Sequence, residues 1–133
     1  MKNKLIYIID DDKLTVKLIS ILISKNKFCD EIESFHNPQL ALDKLKHYFD
    51  TNENLPDIIL LDLNMPVMDG WQFLDEFLLI ALEKKITIFI MTSSIDPNDI
   101  EKAKKYHVVK DYIDKPITAQ RLDLLRKLIE EIN

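Results

Sequence analysis

The chain has 133 residues, enough for one domain with a substantial core and too few for two. It is 47% apolar and 31% charged, as in an ordinary soluble globular protein, and a net charge of −5 with no long basic block argues against direct nucleic-acid binding. No apolar run is long enough to span a bilayer, the amino-terminal run is short and ends in acid, unlike a signal peptide, and a single cysteine, Cys29, allows neither an internal disulfide nor a cysteine zinc cluster; a reducing cytoplasm is the expectation.

The first apolar run, residues 5–9, passes directly into Asp10-Asp11-Asp12. Neighbouring like charges oppose one another's ionisation, so this stretch is either a solvated turn and helix cap or part of a site in which something offsets the repulsion. Leu14, Leu18, Ile21 and Leu22 recur at helical spacing and are expected on the buried face of a first helix, with Asp12 as its cap. A weaker run, 28–35, alternates through Glu31, Ile32, Glu33, Ser34 and Phe35, which predicts a more exposed strand at a sheet edge. Asn37-Pro38 has the cap-plus-proline form of a helix start, followed by Leu40, Leu42, Leu45, Tyr48 and Phe49.

The third run, 58–61, is continuous Ile and Leu and ends in Asp62-Leu63-Asn64. A helix from near Gly70 carries Phe73, Leu74, Phe77 and Leu78, with Trp71 packing at its start. The fourth run, 86–91, ends in Thr92-Ser93-Ser94, and Asp96-Pro97 repeats the cap-plus-proline signal before Ile100 and Ala103. The fifth, 108–113, ends in Asp114-Lys115-Pro116. Thr118 caps a last helix with Leu122, Leu125, Leu128 and Ile129 on its apolar face and the charges of 121–131 on its wet one.

Strand and helix thus alternate five times, which predicts an α/β fold: a parallel sheet with helices on both faces and right-handed crossovers. Such sheets hold ligands beyond the carboxyl ends of their strands. Four of those ends carry polar residues, so Asp10, Asp11, Asp62, Thr92 and Lys115 are expected on one rim, with Asn64 adjacent. Clustered carboxylates make a hard-oxygen site suited to Mg2+, which keeps waters and bridges to phosphate oxygens. Lys115 and Thr92 are poor Mg2+ ligands but offer the point charge and the donor that a phosphoryl group needs. An aspartate can itself carry a phosphoryl group covalently. His36, His47 and His107 share no metal-ligand spacing and are read as surface or packing residues.

The segments LIYIIDDDK, PDIILLDLNMPVMDGWQF, IFIMTSSID and DYIDKPIT resemble, in order and spacing and over essentially the whole chain, the receiver domain of two-component response regulators, in its stand-alone chemotaxis-type form. The resemblance implies a single-domain (βα)5 doubly wound, flavodoxin-like sheet of order 2-1-3-4-5. It implies one receiver over 1–133 with no output domain; the Met1 start and the absence of a trailing linker agree with that. Asp62 matches the phosphoacceptor. Asp11 and Asp62 match side-chain ligands of Mg2+, Asp10 the acid that acts through water, and Asn64 the position that gives its backbone carbonyl. Lys115 matches the lysine paired with the phosphoryl group, and its bond to Pro116 is expected to be cis. Thr92 matches the switch hydroxyl and Tyr112 the switch aromatic, although a tyrosine there is also read as half-buried packing. Met65 and Ser94 border the site. Two positions depart from the pattern. Val108 stands where many members have glycine, and Ser93 where they often have alanine.

The function implied is a phosphorylation-dependent switch in a bacterial cytoplasm. A sensor histidine kinase or phosphotransfer protein would supply the phosphoryl group. The chain would catalyse only its own phosphorylation and dephosphorylation, so it is no enzyme on external substrates. The output would be binding of an unknown protein, or phosphate relay, through the fourth helix, fifth strand and fifth helix. Neither nucleic acid nor membrane is an expected partner, and the state is a monomer or an activation-dependent homodimer. Two rivals stay open at this point: a phosphorylation-independent binding module on the same fold, and a phosphohydrolase using an aspartyl phosphate. The latter lacks a covering domain, and Asn64 sits where its acid/base residue would be.

Overall fold

The computed structural model describes residues 3–51, 54–66, 68–93 and 96–132. Each apolar run becomes a strand within two residues of its expected bounds: β1 (Asn3–Ile9), β2 (Cys29–Phe35), β3 (Ile58–Asp62), β4 (Thr87–Thr92) and β5 (Val109–Asp114). All pair in parallel, in the order β2-β1-β3-β4-β5. The two-residue period of a strand divides the core into two layers. Ile6, Ile8, Ile58, Leu60 and Phe89 point one way, and Tyr7, Ile9, Ile59, Leu61 and Ile90 the other. Central strands need both faces apolar, hence their unbroken Ile and Leu; the edge strands β2 and β5 are only partly buried. Each fully buried Ile or Leu contributes roughly 1.5–3 kcal/mol.

Helices cover both layers. α1 (Lys13–Lys25) and α5 (Ala119–Ile132) lie on the first, through Ile19, Ile23, Leu122 and Leu125. α2 (Pro38–His47) and α3 (Gly70–Ile80) lie on the second through Leu42, Leu45, Phe73, Leu74 and Phe77, where α4 (Pro97–Ala103) adds Ala103. The caps fall as the sequence predicts. The carboxylate of Asp12 accepts from Leu14 N at 3.1 Å, Asn37 and Asp96 cap α2 and α4, and Thr118 Oγ1 accepts from Arg121 N at 3.2 Å. Asp69 and Gln72 form a reciprocal capping box at α3.

The buried face of α1 differs from the expectation. Leu14 (64% exposed), Leu18 and Ile21 face outward, and only Leu22 of the predicted set packs inward. The helix carries two apolar stripes at helical spacing, and Val16, Ile19 and Ile23 form the other. Only Asp10 and Asp11 separate the end of β1 from the Asp12 cap, and this short connection sets a rotation that turns the second stripe to the sheet. Leu40, Phe49 and Leu78 are likewise exposed, outside the cores formed by their neighbours. The side chain of Ile129 lies outside the described residues.

Three features away from the apolar layers matter below. Trp71 stacks on Tyr106 (5.7 Å, 29°), Lys102 Nζ lies 4.8 Å over the indole, and the Tyr106 hydroxyl donates to Asp75 at 2.7 Å, tying the end of α4 to α3. At the amino-terminal end of the sheet, Lys84 Nζ meets Asp57 Oδ1 at 2.9 Å, while Asp57 Oδ2 accepts from Leu5 N at 3.2 Å. The β4–β5 ladder shifts register between Ile88 and Phe89, which leaves Lys110 without a partner across the pair. His36, His47 and His107 are all exposed, and no helix among the described residues is long and apolar enough to cross a membrane.

Candidate functional site

The carboxyl ends of β1, β3, β4 and β5 meet on one rim. β1 pairs onward into the loop, Asp10 N donating to Phe35 O at 3.0 Å. This holds the Asp10 side chain inside, with no exposed surface. Its Oδ1 accepts from Asp12 N at 2.9 Å and its Oδ2 from Lys115 Nζ at 2.6 Å. Lys115 follows β5 directly, its N donating to Thr92 O at 2.8 Å, and the Lys115–Pro116 peptide is cis. Its ammonium also lies 3.4 Å from Asp62 Oδ1, so one cation bridges two carboxylates from different strands.

Asp62 closes β3 and is 4% exposed. Its Oδ1 also takes Asn64 N at 3.4 Å, so among the described residues both the hydrogen bond and the ion pair of Asp62 fall on Oδ1. Gly70 packs against its backbone: a Cβ there would lie 2.9 Å from Asp62 O and from the Leu63 side chain. No other residue type permits that approach without displacing α3 or the β3 end. Sequence reasoning saw Gly70 only as a helix start. Its being the single glycine of the chain was the available signal.

Asp11 is exposed at the mouth, and one carboxylate oxygen from each of Asp10, Asp11 and Asp62 lies within 4.8 Å of the others. Burial, and then the charge of Asp10, hold the Asp62 carboxyl above the usual carboxylate range, with Lys115 only partly countering them. Burial works to lower the Lys115 pKa, but its hydrogen bond to Asp10 and the charges of Asp10 and Asp62 outweigh it and keep the ammonium above its usual value. Asp12 stands apart from this cluster. Its exposed carboxylate is held below the usual range chiefly by the Thr15 hydroxyl, at 2.8 Å, as suits a cap.

Three carboxylates therefore face one ammonium. The donor set is all hard oxygen and carries surplus negative charge, which fits a small divalent cation such as Mg2+ and fits no soft metal. Thr92, 1% exposed, ends β4 beside Asp62, one residue beyond the β3 pairing Asp62–Met91, and also pairs with Asp114 of β5. Asn64 is exposed at the rim, and Met65 is buried in the second core layer. Tyr112 lies farther out on β5, half-buried against the layer that holds Ala103 of α4. Its hydroxyl is enclosed without a hydrogen-bond partner among the described residues, and burial followed by the charges of Asp99 and Asp96 pushes its pKa up to about 12. Ser94 lies outside the described residues.

The model of the response regulator receiver domain family matches residues 6–127. A solved two-component response regulator from Cytophaga hutchinsonii is similar at a TM-score of 0.85 and 30% identity, over 98% of this chain and 99% of that one. Among curated proteins, the probable methanogenesis regulatory protein FilR2 of Methanothrix harundinacea is 27% identical over 128 residues, which is 96% of this chain and 80% of that protein. Two-component response regulator ARR10 of Arabidopsis thaliana is 27% identical over 86% of this chain, which spans only 19% of that protein.

Proposed function

The chain belongs to the response regulator receiver domain family, and on that premise we propose that it is a signalling switch set by phosphorylation of Asp62. The observation that carries the reading is the bridge from Lys115 to both Asp10 and Asp62 beside a three-carboxylate cluster. In the proposed step, Asp62 Oδ2, which makes no hydrogen bond or ion pair among the described residues, attacks the phosphorus of a phosphohistidine on a sensor kinase or phosphotransfer protein. The P–N bond breaks, its electron pair stays on the donor imidazole, and an acyl phosphate forms. Water later cleaves that acyl phosphate to inorganic phosphate and the original carboxylate.

Asp11 and Asp62, with the Asn64 carbonyl and with Asp10 acting through water, would hold Mg2+, which supplies positive charge to the phosphoryl oxygens when bound. Lys115 supplies a fixed positive charge on the other side, already placed by Asp10, and the Thr92 hydroxyl supplies a donor from the adjacent strand end. The exposed stripe of Leu14, Leu18 and Ile21, which begins beside Asp11 and Asp12, supports docking of the donor next to the rim. Downstream, the added charge biases a two-state equilibrium through Thr92 and Tyr112 toward the face of α4, β5 and α5.

Intact mass after incubation with acetyl phosphate tests the reading. One added phosphoryl group is expected, dependent on Mg2+ and absent in Asp62→Ala. No adduct, together with no Mg2+-dependent response to beryllofluoride, would replace this reading with a phosphorylation-independent binding module.

A further inference from the structure

At the end of the sheet opposite the rim, α3 stops at Ile80 and Ala81 turns left-handed (φ 56°, ψ 52°). The chain then swings out before entering β4. This leaves a groove of about 500 Å³ between the 81–86 loop and the start of β5. Its apolar lining comes from Phe77, Leu78, Leu82 and Val108, and Lys85 and Lys110 stand on its edges. Leu78 is 49% exposed, more than a leucine packed against its own core requires. Lys85 and Lys110 are exposed, and neither has an ion-pair partner among the described residues. Lys84 also lines the groove, but Asp57 neutralises it; Glu83 is the one lining carboxylate among the described residues. In a chain of net charge −5, this is an apolar cleft with a local positive surplus.

We propose that this groove docks an acidic, leucine-bearing segment of a partner protein, with apolar side chains seated over Phe77 and Leu82 and carboxylates toward Lys85 and Lys110. Charge complementarity selects the acidic segment. The exposed edges argue against a small molecule, because small-ligand sites bury most of their ligand. The overall negative charge opposes adsorption to an anionic membrane. The register shift at Lys110 bends the open edge of β5, which disfavours strand addition there, so side chains and not backbone pairing seat the partner. A partner held at this end leaves Asp62 accessible, and tethering and phosphorylation can proceed together.

The test uses a short fluorescein-labelled peptide alternating glutamate and leucine. Peptides of equal length alternating glutamate with serine and lysine with leucine are the controls. The glutamate–leucine peptide is expected to bind, to weaken with added salt, and to shift amide resonances of residues 81–86 and 107–110 and not those of the rim. Lys85→Glu with Lys110→Glu should weaken it at least about tenfold while acetyl phosphate still modifies Asp62, which shows that the variant is folded. Unchanged affinity in that variant, or equal binding of either control, overturns the proposal. Displacement of the peptide by decanoate at equal concentration would assign the groove to a small amphiphile instead. Self-association of the chain that disappears in the double variant would assign it to a second copy.

Discussion

Two lysine–aspartate pairs lie at opposite ends of one sheet, and they do different work. At the amino-terminal end, Lys84 and Asp57 balance each other. Asp57 also accepts from the backbone of β1, Lys84 also donates to Leu55 O at 2.9 Å, and both side chains keep contact with solvent at 20% and 28% exposure. That pair fastens two loops to the sheet. At the other end, Lys115 meets a fully buried Asp10, yet Asp62 and Asp11 stand in the same cluster with no further cation among the described residues. A lysine–aspartate contact by itself therefore marks nothing; uncompensated charge held in place by strand ends marks a site.

Removing each lysine in turn is the strongest challenge to this contrast. Lys115→Met should destabilise the protein by about 3 kcal/mol in urea at pH 7, because a buried carboxylate loses its partner beside another. Lys84→Met should cost about 1 kcal/mol, since water can take over. Equal costs would erase the distinction. Gly70→Ala disturbs the rim without touching its charge. The added methyl meets Asp62 O at 2.9 Å, and a loss of about 2 kcal/mol is expected, with slower uptake of phosphoryl from acetyl phosphate.

Mg2+ sharpens the contrast from the other side. At roughly ten times its dissociation constant it should stabilise the wild type by about 1.4 kcal/mol and leave Asp62→Asn much less affected, as read by the urea midpoint. The smallest effect concerns Asp62 alone, without metal. Its folded pKa lies above the unfolded value, so its contribution to stability is complete below the unfolded pKa and is lost as pH rises through the folded one. The ionised carboxylate therefore works against the fold at pH 7. Asp62→Asn should raise the urea midpoint there, and the gain should fade as pH falls through the raised folded pKa and be essentially gone by about pH 4. A lowered midpoint at pH 7 would show that Lys115 more than compensates Asp62.

The strands and the rim were legible because strand ends and charge changes coincide in the sequence: Ile9 to Asp10, Leu61 to Asp62, Met91 to Thr92, Asp114 to Lys115. Period-two burial and parallel pairing then place these residues together with little freedom. The phase of α1 was not legible, because Leu14–Leu18–Ile21 and Val16–Ile19–Ile23 satisfy helical spacing equally well. Only the short turn through Asp12 decides between them. The clamp of Tyr106 on Trp71 and Asp75 was also hidden, since it joins α3 to the turn after α4, residues distant in sequence. The groove by Lys85 and Lys110 depends on a left-handed alanine at position 81, a conformation that sequence propensity does not anticipate.

The Trp71–Tyr106 stack has an optical consequence. Trp71 is the only tryptophan in the chain, it opens α3 directly after Gly70, and its indole packs against a ring beyond α4 and against the ammonium of Lys102 on α4. Any slide or tilt of α4 changes the surroundings of that one chromophore. The intrinsic emission of the unlabelled chain is thus a built-in gauge of α4 position, and stopped-flow recording can follow it in real time.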